Sequence, residues 1–167
     1  GYSEVAANLR QQRPYRSPVF VNIGKNRTTP DEDAPGEYAE LYLKLKRLGD
    51  AFVINISSPN TQGLRQWLEP TRLQSLLAPI LKLREENDPP ILLKLSPDQS
   101  NEDFKKILEI AWRAGVDGFI LTNTTLAREP GLPFPPEGGV SGRPLTKRSE
   151  ECLKIAVDLF NPNKSVS

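Results

Sequence analysis

The chain contains no histidine, no methionine and a single cysteine. Without an imidazole, Ser-His-Asp and Cys-His catalysis are excluded within these residues. One thiol and no histidine also remove the usual donor sets for zinc and transition metals, so no metal site is expected. A lone cysteine cannot form an intrachain disulfide. Cys152 shares an i, i+3, i+4, i+7 stripe with Ile155, Ala156 and Leu159, the spacing of a buried helix face, so it reads as a core thiol. An excess of positive charge is missing too. Lys and Arg number 22 against 21 Asp and Glu, a formal charge of +1, which leaves no basic footprint for nucleic acid. No apolar run approaches the roughly eighteen residues of a membrane span, and no signal peptide is visible. With no methionine and Gly1 at its start, the chain is expected to be an internal segment of a longer protein.

What is present is an ordinary globular composition, 37% hydrophobic and 26% charged over 167 residues, suited to one domain or part of a larger one. Strand and helix patterns alternate along it. Val19-Phe20-Val21 is a short apolar strand, and Tyr38, Leu41, Tyr42, Leu45 and Leu48 then recur at helical spacing, with Gly49 as the stop. Residues 51–56 form a second strand. Pro70 opens a helix whose face is Leu73, Leu76, Leu77, Ile80 and Leu83. Pro89-Pro90 ends it, and Ile91-Leu92-Leu93 is the third strand. Ser100 and Asp103 resemble a capping box ahead of Phe104, Ile107, Leu108 and Ala111, and Gly115 closes that helix. Residues 118–121 make a fourth strand. A Pro/Gly-rich loop leads to a last helix from about Lys147 to Phe160, and the polar tail at 161–167 is expected to fray.

Four consecutive βα units imply an α/β fold with a parallel sheet, either part of a (β/α)8 barrel or a doubly wound open sheet. Four units are half of a barrel, whose usual length is about 250 residues. "VFVN", "FVIN", "ILLK" and "ILTN" each place a polar residue after three apolar ones: Asn22, Asn55, Lys94 and Asn123. All four are expected at the C-terminal ends of their strands, the ligand-binding edge of parallel α/β folds. Asparagine carries donors and an acceptor, so such a cluster suits a planar ring with alternating NH and C=O groups, a flavin or a pyrimidine. Lys94 needs an anionic neighbour. That neighbour is either a structural Asp or Glu or a ligand that becomes negative in turnover. Ser57-Ser58-Pro59-Asn60 reads on its face as a turn. Gly138, Gly139 and Gly142 let backbone approach a ligand, or serve a lid or a plain linker.

In this order and spacing, "VNIGKN", "NISSPNTQGLR", "LLKLSPD", "LTNTT" and "GGVSGRPL" closely resemble dihydroorotate dehydrogenase. The serine of "SSPN" points to the class 2, quinone-linked members, since class 1 carries cysteine there. The resemblance runs from about Val19 to Phe160 and makes residues 1–167 the central part of an FMN-binding barrel. It implies oxidation of dihydroorotate to orotate in de novo pyrimidine synthesis, with FMN as cofactor and a quinone as acceptor. By position, Asn22, Asn55, Lys94, Thr122 and Gly142 would contact FMN. Asn55, Asn60, Asn123 and Thr124 would hold the substrate. Ser58 would be the catalytic base, and Thr61 would help carry its proton away. The resemblance also implies a peripheral membrane enzyme, attached through parts that this chain does not contain.

The family's Ala/Gly-rich FMN contact, its substrate lysine, an Asn-Arg-Met-Gly-Phe loop and the glycine-rich phosphate turns have no counterpart here. The isolated chain is therefore expected to bind FMN weakly and to turn over poorly. The alternative is a non-catalytic remnant or excised fragment that keeps weak ligand binding.

Overall fold

Each strand is followed by a helix that covers one of its faces, and the register of the strands decides which side chains remain uncovered. The computed structural model describes residues 1–59, 61, 63–128, 131, 134–135 and 137–161. Helix α1 is Tyr2–Gln11, β1 is Phe20–Ile23, α2 is Ala34–Leu45, β2 is Ala51–Asn55 and α3 is Pro70–Lys82. Then come β3, Ile91–Lys94, α4, Asn101–Ala114, β4, Gly118–Ile120, and α5, Thr146–Phe160. The strands form one parallel sheet in the order β1-β2-β3-β4. This is the succession of βα units expected of a partial (β/α)8 barrel.

Side chains alternate across a pleated sheet, and residues paired in register share a face. Val21, Ile23, Phe52, Ile54, Ile91 and Leu93 point one way and are buried. They join Tyr38, Tyr42, Leu45, Leu73, Leu76, Leu77, Phe104, Ile107 and Leu108 of α2, α3 and α4 in the core. The other face holds Asn22, Val53, Asn55, Leu92, Lys94, Gly118 and Ile120. It is open at its margin, where Phe20 is 53% exposed.

Local chemistry sets the helix ends. Ser100 Oγ accepts the Asp103 N–H at 3.1 Å, and Gly115 closes α4 at φ 105°, as the capping pattern predicts. Gly49 does something other than end a helix. The helix stops at Leu45, and a β-carbon at Gly49 would lie 2.6 Å from Val21 Cγ2 and 3.0 Å from the Val19 carbonyl oxygen. The glycine lets the chain enter β2 tight against β1. The sequence reading did not anticipate α1, whose one buried residue is Ala6. Tyr15 ties it down, its hydroxyl lying 2.9 Å from the Leu9 carbonyl oxygen and 2.6 Å from that of Leu48. Cys152 is fully buried, as expected of a core thiol, and burial pushes its pKa up.

An ion-pair cluster fixes the loop between α3 and β3. Lys46 Nζ donates to Asp88 Oδ2 at 2.7 Å, to Glu85 Oε1 at 2.9 Å and to the Leu83 carbonyl at 3.0 Å. Burial works to raise the Asp88 carboxyl. The Lys46 hydrogen bond, the Glu85 N–H and the Lys46 charge outweigh it and hold the group below its ordinary range. A depressed carboxyl stabilises the fold above its unfolded pKa, and that contribution is lost as pH falls through the folded value. Asp88→Asn keeps the acceptor and drops the charge. It is expected to cost about 1.5 kcal/mol at neutral pH. Urea unfolding at successively lower pH should show that deficit shrinking once the pH falls through the depressed range in which the wild-type carboxylate is itself protonated.

Candidate functional site

The polar residues of the open face are not level with one another. Asn55 and Lys94 are direct register partners at the ends of β2 and β3. Asn22 pairs with Val53, two residues below Asn55, and is the third residue of a strand that runs on to Ile23. Asn123 lies three residues past the end of β4, where its N–H donates to the Leu95 carbonyl at 2.8 Å. The expectation that all four terminate their strands therefore holds only for Asn55 and Lys94. The short run of β4 explains Asn123: the chain continues beside β3 without regular pairing.

A chain of hydrogen bonds joins the loops after β2 and β4. The Ser57 hydroxyl, fully buried, lies 3.2 Å from Asn55 Oδ1 and 3.1 Å from Asn123 Nδ2. The Ser57 N–H also donates to Asn55 Oδ1 at 3.3 Å, and the Thr124 N–H donates to Asn123 Oδ1 at 2.8 Å. Tyr38, fully buried on α2, donates its hydroxyl to the Asn55 backbone carbonyl at 2.7 Å. Burial pushes that phenol up, so it stays a donor across the working pH range.

Ser58 is half-buried, next in the chain after Ser57, and Thr61 is half-buried in the same loop. Asn60 lies outside the described residues. Three contacts brace this loop. Arg65 Nε donates to the Ser57 carbonyl at 3.2 Å, while its Nη2 donates to the Thr124 carbonyl at 3.1 Å. Its Nη1 pairs with Asp98 Oδ2, and the two side chains are 17% and 23% exposed. Asp98 also accepts the Thr125 hydroxyl and, at 2.9 Å, the Leu126 N–H. At the far end of the loop, Gly63 sits against the Asp31 carboxylate, which lies 3.4 Å from Lys25 Nζ. The third brace is Gly139, packed on Thr124 and Pro59 beside the antiparallel bridge of Thr125 with Val140. Gly142, two residues beyond that bridge, has φ 76° and precedes a single 3-10 turn, Arg143–Leu145.

A β-carbon at Gly139 would overlap Thr124 Oγ1 and lie 2.5 Å from its Cβ and 3.2 Å from Pro59 Cγ. Gly139→Ala is expected to cost about 2 kcal/mol by overpacking. It should also weaken whatever ligand Thr124 holds. Thermal unfolding checks the first effect, and ligand titration checks the second.

Among the described residues, two groups in the site lack partners. Among the described residues Lys94, half-buried, makes no ion pair and no side-chain hydrogen bond. No Asp or Glu among the described residues neutralises it. Among the same residues Thr122 Oγ1 is buried with no hydrogen-bond partner. A cation and an orphaned hydroxyl on one ligand edge leave valences for a bound molecule. With the N–H groups of Asn55 and Asn123 they suit a planar ring bearing carbonyl oxygens. Among the described residues no group of three His, Cys, Asp or Glu could hold a metal ion, and no helix is long and apolar enough to cross a membrane.

Sequence reasoning missed Ser57 as a bridge, Tyr38 as the holder of Asn55, and the Arg65–Asp98 clamp. Arg65 and Asp98 were visible as charges inside "NTQGLR" and "LLKLSPD", and charges embedded in site motifs are the signal that could have marked them.

A family model described as dihydroorotate dehydrogenase matches residues 1–163. The dihydroorotate dehydrogenase (quinone) of Deinococcus radiodurans is 42% identical, over 95% of this chain and 45% of that protein. The enzyme of the same name from Thermus thermophilus is 43% identical, over 92% of this chain and 45% of its own. A crystal structure of Eimeria tenella DHODH in complex with ferulenol superposes with a TM-score of 0.81 at 30% identity, covering 96% of this chain and 48% of that one. The chain thus spans about half the length of the relatives it matches.

Proposed function

The chain belongs to the dihydroorotate dehydrogenase family, and on that footing we propose that it carries the substrate-facing part of an enzyme that oxidises dihydroorotate to orotate in pyrimidine synthesis. FMN, held at this edge, would supply the hydride-accepting chemistry for C6, with a quinone as the final electron acceptor. The observation that carries this reading is the linked set Asn55, Ser57 and Asn123, beside the unpartnered Lys94 and in the same loop as Ser58.

Ser58 takes the proton from C5. Asn55, Asn123 and Thr124 hold the pyrimidine so that this proton lies within its reach, and Asn60 joins them by its place in the motif. Fixing the reacting groups in an attack geometry supplies a large part of the barrier reduction. Thr61 helps carry the proton from Ser58 toward solvent. Lys94 faces the cofactor ring, where a fixed positive charge offsets the negative charge that arrives in turnover. Asn22 gives the ring an amide, the orphaned Thr122 hydroxyl finds its partner there, and Gly142 offers backbone. None of the residues assigned here grips the FMN phosphate, so the 167 residues alone hold FMN weakly and turn over poorly. In the intact protein the family's peripheral membrane placement applies.

The test is an anaerobic visible spectrum of the FMN-loaded intact polypeptide that contains these residues, before and after dihydroorotate. Bleaching of the flavin bands is the expected result. Unchanged bands with FMN demonstrably bound would sink the reading.

A further inference from the structure

The direction of every hydrogen bond between Thr124 and Asn55 can be fixed without ambiguity. A backbone N–H can only donate. The Thr124 N–H therefore identifies its partner atom on Asn123 as the amide oxygen, and the Ser57 N–H does the same for Asn55. With its oxygen so assigned, Asn123 meets the Ser57 hydroxyl through Nδ2, as donor. The hydroxyl has one proton, and the acceptor left for it is Asn55 Oδ1. The relay runs one way, from the Thr124 N–H through Asn123 and Ser57 to Asn55. It consumes the Ser57 proton and both amide oxygens as anchored acceptors. What remains unpartnered among the described residues is both N–H bonds of Asn55 Nδ2 and one of Asn123 Nδ2.

We propose that Ser57 is a positioning residue that sets the polarity of the site: it turns the N–H groups of Asn55 and Asn123 toward the ligand, so that this side takes carbonyl or carboxylate oxygens and rejects donor groups. The assignment rests on the function proposed above and deepens it. An asparagine alone is indifferent, since its amide offers a donor or an acceptor by a half-turn. A fully buried hydroxyl wired between two amides removes that freedom. A ligand presenting an amine here would leave buried donors facing donors, the situation that gives polar sites their sharpest discrimination. The same wiring commits the Ser57 proton and one of its two lone pairs to the flanking amides, which separates its role from that of Ser58.

The experiment compares orotate with its analogues in which either ring carbonyl is replaced by an amine. Affinities are read from perturbation of the flavin spectrum in the FMN-loaded intact polypeptide. Wild type should reject at least one amine analogue. Ser57→Ala should weaken orotate about tenfold or more, while the rejected analogue loses less, so that the preference narrows. A folded Ser57→Ala protein with unchanged orotate affinity and unchanged preference would overturn the proposal. Should that variant fail to fold, Asn55→Asp keeps the acceptor for Ser57 and exchanges the ligand-facing donor for an acceptor. Its preference should move toward the amine analogue, and retention of the wild-type preference would overturn the proposal equally. If wild type binds none of these ligands, the function proposed above falls, and the relay is judged by side-chain amide exchange of labelled asparagines. Loss of protection at Asn55 and Asn123 in Ser57→Ala supports it, and unchanged protection refutes it.

Discussion

Ser58→Ala is expected to lower turnover of dihydroorotate by a hundred- to ten-thousand-fold, about the range that a positioned general base contributes. The fall should lie in kcat. Ser58 is one member of a loop held by other groups: Arg65 at the Ser57 carbonyl, Gly139 at Pro59 and Gly63 at Asp31. Removing one hydroxyl from a half-buried position leaves those braces in place. Substrate affinity and flavin binding should therefore stay within a few-fold of wild type, because Asn55, Asn123 and Lys94 are untouched. Stopped-flow reduction of bound flavin separates the cases. A large loss of affinity with reduction preserved at saturation would assign Ser58 to binding and not to proton removal.

The second large effect is structural. Arg65→Ala should destabilise the protein by about 3 kcal/mol, since it removes a charge-assisted contact to Asp98 and leaves the Ser57 and Thr124 carbonyls without their donor. Those carbonyls belong to the loops after β2 and β4, and Asp98 to the loop after β3. One guanidinium thus holds three consecutive loops at their site ends. Turnover should fall with stability, because Ser58 and Asn123 lose their fixed separation. Arg65→Lys keeps the charge but not the planar fork of donors, so it should recover only part of the loss. Urea unfolding and steady-state rates on the same preparations check both statements. A variant with wild-type stability and slow turnover would show that the clamp acts on the chemistry alone.

Much of this arrangement was legible in the chain. The helix faces of α2, α3 and α4 follow from apolar spacing, the α4 caps from Ser100 and Gly115, and the parallel order from the alternation of strand and helix. These are local rules, and neighbouring residues in sequence are enough to apply them. The misses concern groups far apart in sequence. Nothing near Ser57 says that its hydroxyl will meet Asn123, and nothing near Lys94 says whether a carboxylate will face it. The levels of Asn22 and Asn123 depend on register, which no three-residue apolar run specifies. Helix α1 was missed although Tyr2, Val5, Ala6 and Leu9 stand at helical spacing: the stripe is short, and of its members Ala6 alone is buried.

Every strand in the sheet lies beside the one that follows it in the sequence. Each parallel pairing closes over an intervening helix, and none waits for a strand further along the chain. This order gives assembly a direction in time. During synthesis each βα unit leaves the ribosome to find its neighbour already made, and the sheet lengthens one strand per unit. The site follows a later clock. Asn55 and Ser57 can meet as soon as β2 exists, yet the amide that completes their chain arrives sixty-six residues afterwards, with Asn123. A nascent chain halted within α4 would therefore hold three strands of the sheet and no assembled ligand edge.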